Sequence, residues 1–122
     1  MPKKIMVVED THDLLQHVSD FLMMEGYEVE PCANGYEAYK KLATYKPDLI
    51  ITDLVMPKVD GFALIEKIMH NQALKDIPVA IFSAKPPQEN EAHALSLNVK
   101  AFIKKPCSLD DLHTAIKDIL DH

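Results

Sequence analysis

The runs Ile5 to Val8, Leu49 to Thr52 and Val79 to Phe82 are apolar or β-branched at successive positions rather than at alternate ones. A strand built this way has no polar face to show to water, so it must lie in a sheet covered on both sides. Two further runs, Glu28 to Cys32 and Ala101 to Ile103, bring the set to five, and segments of helical periodicity separate them. Strands alternating with helices predict an α/β fold, a doubly wound five-stranded parallel sheet with five helices.

Leu14, Leu15, Val18, Phe21 and Leu22 form the first helical stripe, closed by Gly26, which adopts the left-handed conformation beyond a helix end without a Cβ penalty. Asn34 caps a second helix with the stripe Tyr36, Tyr39, Leu42 and Ala43, before Lys46-Pro47 imposes an extended entry to the third strand. The third helix carries Phe62, Ile65, Ile68 and Met69. The fourth, about Gln88 to Leu97, has a thin apolar face of Ala92, Ala94 and Leu95, with Asn98 as its C′ residue. The fifth opens on Ser108 as N-cap with Asp111 three residues later, and sets Leu109, Leu112, Ile116 and Ile119 at core spacing.

The 122 residues show no repeat, linker or low-complexity stretch, so 1–122 reads as one domain with no second, output domain within it. All 13 basic residues are lysines, against 19 acidic residues and a net charge of −6. Without a guanidinium fork for base edges or phosphates, direct nucleic-acid binding is not expected. Gly26, Gly35 and Gly61 are too few and scattered for a phosphate-cradling or dinucleotide-binding glycine loop. No apolar run approaches the roughly 18 residues that span a bilayer, and Met1-Pro2-Lys3-Lys4 leads straight into a strand, so a cytoplasmic protein without membrane contact is expected. Cys32 and Cys107 lack CxxC spacing, and His12 and His17 stand on different helix faces, which argues against a redox pair or a zinc site.

Open parallel sheets bind ligands outside the carboxyl ends of their strands. There the first strand runs into Glu9-Asp10, the third into Asp53, the fourth into Ser83-Ala84 and the fifth into Lys104-Lys105-Pro106. Singly, each has an ordinary structural explanation: acids suit helix N-termini, Asp and Ser start turns, and a lysine after a strand is solvated. Jointly they bring three carboxylates, a hydroxyl and an ammonium to one rim. Neighbouring carboxylates repel, and a hard divalent cation relieves that conflict. Mg²⁺, which takes one or two carboxylates, waters and phosphate oxygens, points to phosphoryl chemistry.

These residues resemble the receiver domain of two-component response regulators, a CheY-like fold, over essentially the whole chain. Val7-Val8-Glu9-Asp10 is similar to the family's acidic doublet, and Asp53-Leu54-Val55-Met56-Pro57-Lys58-Val59-Asp60-Gly61 to its DxxMPxxDG motif. Ser83-Ala84 stands at the family's Thr/Ser and small residue, Phe102 at its switch aromatic, and Lys105-Pro106 at its Lys-Pro pair. The resemblance implies the strand order 2-1-3-4-5, which the general rule for doubly wound folds itself illustrates with a family member. It implies Asp53 as phosphoacceptor, with Mg²⁺ held by Glu9, Asp10, Asp53 and the backbone carbonyl of Val55. Lys105 and Ser83 then contact phosphoryl oxygens, and Phe102 turns into the space Ser83 vacates, changing the surface of the predicted fourth helix, fifth strand and fifth helix. It implies a signalling switch rather than an enzyme, fed by a histidine kinase or a histidine phosphotransfer protein and read by a downstream effector or an output domain. It also implies a cis Lys105-Pro106 bond, which turns the chain sharply from the rim to the Ser108 cap.

Some features depart from the common pattern. Tyrosine often stands where Phe102 does, so no hydroxyl contact is available there, and the two fixed φ angles of Pro86-Pro87 stiffen the loop that must move with Ser83. Lacking arginine, the chain is not expected to dimerise as some DNA-binding relatives do. Val55 offers no group that orients a hydrolytic water and adds apolar bulk, while Lys85 either crowds the same approach or stays solvated, so slow loss of the phosphate is expected. Other readings are a phosphatase working through an aspartyl phosphate, a pseudo-receiver and a flavin-binding domain. The first lacks a DxD at Asp53-Leu54-Val55, the second retains all of Asp10, Asp53 and Lys105, and the third has an acidic loop where flavin phosphate needs donors. With Cys32 and Cys107 on opposite sheet edges, roughly 19 Å apart, no disulfide is expected.

Overall fold

The computed structural model describes residues 2–54, 61–84 and 99–121. Strands β1 (Lys4–Val8), β2 (Glu28–Cys32), β3 (Leu49–Thr52), β4 (Val79–Ser83) and β5 (Val99–Lys104) form one sheet in the order β2-β1-β3-β4-β5, every pair parallel. The described helices are α1 (His12–Met24), α2 (Gly35–Lys41), α3 (Gly61–Met69) and α4 (Leu109–Leu120). The expected sheet and strand order are thus present, and α4 is the fifth helix expected from the sequence. The expected helix from Gln88 to Leu97 lies outside the described residues, as do residues 55–60 and the Lys85-Pro86-Pro87 segment.

Side-chain alternation divides the buried strands between two cores. Ile5, Val7, Ile51 and Phe82 pack with Leu15, Val18 and Leu22 of α1 and Leu112 and Ile116 of α4. Met6, Val8, Ile50 and Ile81 pack on the other face with Ala38 of α2 and Leu64, Ile65 and Ile68 of α3. Each such side chain contributes about 1.5–3 kcal/mol by leaving water, so the sheet is clamped from both faces.

The expected helix boundaries hold where capping chemistry sets them. Gly26 has φ 99°, its N–H donates to the Met23 carbonyl and that of Tyr27 to the Leu22 carbonyl, the paired bonds of a Schellman end. Asn34 Oδ1 accepts from the Glu37 N–H at 2.8 Å, and Ser108 Oγ from the Asp111 N–H at 3.0 Å. The expected stripe of α2 needs correction. The helix ends at Lys41, so Ala43 falls beyond it and is exposed, and Tyr36 is 53% exposed with Lys40 over its ring. Leu42 fills the core as expected with Tyr39 at its edge, and Ala38 joins them in place of Tyr36 and Ala43.

β5 is longer than the expected Ala101 to Ile103 and carries a bulge. Pairing steps from Val79–Val99 to Ala80–Ala101, which leaves Lys100 as an extra residue. Val99 therefore packs with one core, while Ala101 and Ile103 pack with the other. Cys32 and Cys107 are both free. Among the described residues no helix is long and apolar enough to cross a membrane.

Candidate functional site

Glu9, Asp53 and Lys105 are each the first residue beyond a strand, and each is anchored by one last inter-strand bond. The Glu9 N–H donates to the Cys32 carbonyl at 3.0 Å, that of Asp53 to Val8 at 3.2 Å, and that of Lys105 to Ser83 at 3.0 Å. The sheet thus holds three backbones while their side chains reach over its carboxyl rim.

Those side chains meet. Lys105 Nζ donates to Glu9 Oε1 at 2.6 Å and to Asp53 Oδ2 at 2.8 Å. Glu9 and Asp53 are 3% and 8% exposed, and the Lys105 side chain 17%, so little water screens the pairs. Burial pushes the Lys105 pKa down, but hydrogen bonds to Asp53 and Glu9 and their negative charges outweigh it. The ammonium ends above the ordinary lysine value. The remaining carboxylate oxygens accept backbone donors, Glu9 Oε2 from the Thr11 N–H at 3.0 Å and Asp53 Oδ1 from the Leu54 N–H at 2.6 Å.

Ser83 is buried at the end of β4, and Asp10 is exposed beside Glu9. Phe102 is paired with Ile81 and is 38% exposed, away from the Lys105 contacts. Lys105-Pro106 is cis, as expected. Val55 lies outside the described residues. Gly61, at the other end of the expected motif, opens α3 so close to the Asp53-Leu54 backbone that a Cβ there would collide with the Asp53 carbonyl.

Glu9, Asp10 and Asp53 each offer a carboxylate oxygen within 4.8 Å of the others. Ligand oxygens around a cation at 2.0–2.1 Å stand about 2.9–4.2 Å apart, so small side-chain rotations complete the set, and its all-oxygen chemistry suits a hard divalent ion. The cluster can therefore hold a metal ion, in competition with the Lys105 ammonium for Glu9 and Asp53.

Sequence reasoning placed the charged residues but missed their supports. Thr52, fully buried, donates its hydroxyl to the Asp53 carbonyl at 2.9 Å, and the Phe82 ring lies under Lys105 with its centroid 5.2 Å from Nζ. Parity along the sequence does not find Phe82, because its pairing with Ile103, two residues before Lys105, depends on the β4–β5 register. The backbone donors of Thr11 and Leu54 carry no side-chain signal at all.

Known proteins share this architecture. The chain belongs to the response regulator receiver domain family, which it matches over residues 5–117. It is 34% identical to the transcriptional regulatory protein CrdR of Helicobacter pylori over 117 residues, covering 96% of this chain and 54% of that protein. Among solved structures it is similar to the receiver domain of a signal transduction histidine kinase from Syntrophus aciditrophicus, with a TM-score of 0.86 and 33% identity over 98% of this chain and 90% of that one. It is also similar to a CheY-like receiver domain protein from Methanospirillum hungatei JF-1, with a TM-score of 0.89 and 29% identity over 99% and 95% of the two chains. The chain spans about half the length of the transcriptional regulators it matches. Receiver domains are signalling switches that work by phosphorylation, and the chain is a receiver domain of the two-component kind.

Proposed function

We propose that this chain, as one phosphoaccepting unit over residues 1–122, takes a phosphoryl group onto Asp53 from a histidine kinase or a histidine phosphotransfer protein in the cytoplasm. The observation that carries this reading is the Lys105 ammonium joined at once to Glu9 and Asp53 at the carboxyl rim. A lone structural ion pair needs one acid, whereas a site for a transferred phosphoryl group needs a nucleophilic carboxylate, surplus acids and a mobile cation together.

One Asp53 oxygen forms the bond to phosphorus as the donor's P–N bond breaks, and the donor histidine leaves with the electron pair. Glu9, Asp10, Asp53 and the Val55 carbonyl are the groups that would hold Mg²⁺, which supplies neutralising charge to phosphoryl oxygens when bound. Lys105 exchanges its bond to Asp53 for one to a phosphoryl oxygen, and the Ser83 hydroxyl donates to another. Phe102 then turns toward the space Ser83 leaves, and the surface of the 88–97 segment, β5 and α4 changes for an effector protein or output domain. The chain makes no direct contact with nucleic acid. Val55 offers no group to hold a hydrolytic water, so the phosphate is lost slowly.

Incubation with acetyl phosphate and Mg²⁺, read by intact-protein mass spectrometry, adds a single phosphate to the native protein and none to Asp53→Asn. Labelling that persists in Asp53→Asn overturns the assignment.

A further inference from the structure

Among the described residues, two of the three partners of the Lys105 ammonium are carboxylates with other work to do. In the reading above, on which this inference rests, Asp53 becomes bonded to phosphorus and Glu9 faces a cation. A flexible lysine held only by those acids has no fixed support in the interval between leaving them and meeting a phosphoryl oxygen. The third partner is the face of Phe82, whose centroid lies 5.2 Å from Nζ, inside the roughly 6 Å over which a ring quadrupole attracts a cation. That face neither binds metal nor reacts.

We propose that Phe82 is a positioning residue for phosphoryl transfer, a fixed seat that keeps the Lys105 ammonium at the rim while its carboxylate partners are drawn away. The ring is well placed for this. Phe82 is 7% exposed and packs in the core with Val7, Ile51 and Leu112, so it does not follow the lysine. The β4–β5 register pairs it with Ile103, so the Lys105 stem, two residues on, leaves the sheet on the same side. At 17% exposure of the lysine side chain, water competes weakly for the ammonium. A leucine at position 82 fills the same core but presents no negative face.

The test replaces Phe82 site-specifically by 4-fluoro-, 3,4-difluoro- and 3,4,5-trifluorophenylalanine, which nearly keep its shape while weakening the negative face in steps, with Phe82→Leu as the end point. Two readouts are taken. In NMR spectra the Lys105 ε-methylene protons carry an upfield ring-current shift that remains when Mg²⁺ is added and is absent in Phe82→Leu. The initial rate of labelling by acetyl phosphate falls stepwise along the series, to about one-fifth at trifluorophenylalanine, with an unchanged urea midpoint. An ε-methylene shift equal to that of Phe82→Leu, with or without Mg²⁺, overturns the proposal, and so does a flat labelling rate across the series. Native protein that takes up no phosphate overturns the Asp53 reading and the positioning role with it, whereas a labelled native protein with a flat series overturns the role of Phe82 alone.

Discussion

Gly61→Ala adds one methyl group at the point where α3 meets the Asp53-Leu54 backbone. The Gly61 N–H donates to the Leu54 carbonyl at 3.1 Å, and a Cβ built on this residue overlaps the Asp53 carbonyl oxygen and stands 2.7 Å from its carbon and 2.8 Å from Leu54 Cα. Carbon atoms settle at about 3.5–4.0 Å, so the helix start and the strand end must part by about an ångström. All three opposing atoms are backbone, and Leu64, Ile65 and Ile68, fully buried in the core beside β3, resist moving the helix. Overpacking costs about 1–3 kcal/mol, and this site belongs at the upper end. Alanine recovers up to about 1 kcal/mol as the better helix former, less in a first turn. The balance is a loss of about 2 kcal/mol, or roughly 8 °C in Tm for a domain of this size. Urea unfolding followed by far-UV circular dichroism measures it, with a lower midpoint and an unchanged slope. Because the clash falls on the Asp53 peptide, labelling by acetyl phosphate slows as well. An unfolding free energy within about 0.5 kcal/mol of the native protein, with normal labelling, would show that the close approach at Gly61 constrains neither the fold nor the site.

Burial, only partly offset by Lys41, pushes the Cys32 thiol up to about 12, so the native protein keeps its proton where the unfolded chain ionises near 8.5. Its stabilising share is complete below about pH 8.5 and is lost as pH rises toward 12; Cys32→Val removes that slope in urea titrations at successive pH values, and an identical slope in the variant refutes it. In the native state at pH 8, Ellman's reagent reacts with Cys107 before Cys32, because Cys32 is buried at 1% exposure; equal rates contradict that burial. The raised Lys105 pKa has the opposite charge and the same direction in pH: its contribution is whole below about 10.4 and disappears as pH climbs through the higher native value, so Lys105→Met loses an alkaline step that the native protein shows.

Much of the fold was legible because it rests on local chemistry. Double-sided apolar runs demand a covered parallel sheet, and Gly26, Asn34 and Ser108 act within a few residues of themselves, so their helix ends appear where composition puts them. The face of α2 was not legible, since a helix ending at Lys41 is too short for periodicity to choose between a stripe through Tyr36 and one through Ala38. The extent of β5 was hidden for a related reason. Lys100 reads as a polar interruption, whereas in the sheet it is the extra residue of a bulge, and only the partner strand decides that.

The candidate site divides along the same line. That Glu9, Asp10, Asp53, Ser83 and Lys105 would share a rim follows from one fact, that parallel strands end on one side. Which of them touch does not follow from it, because each contact depends on rotamers chosen by neighbours far along the chain. Lys105 lies 96 residues from Glu9 and 52 from Asp53, and the geometry that joins them is the adjacency of β1, β3 and β4 and the pairing of β5 with β4. Phe82 is the sharper case. Read alone it is one more core residue of a buried strand, and packing alone accounts for it. Its second role appears only when the β4–β5 register sets Ile103 opposite it and so brings the Lys105 stem across its ring. A residue whose apolar edge serves the core and whose π face serves the site carries two constraints under one letter, and a single sequence displays the stronger of the two.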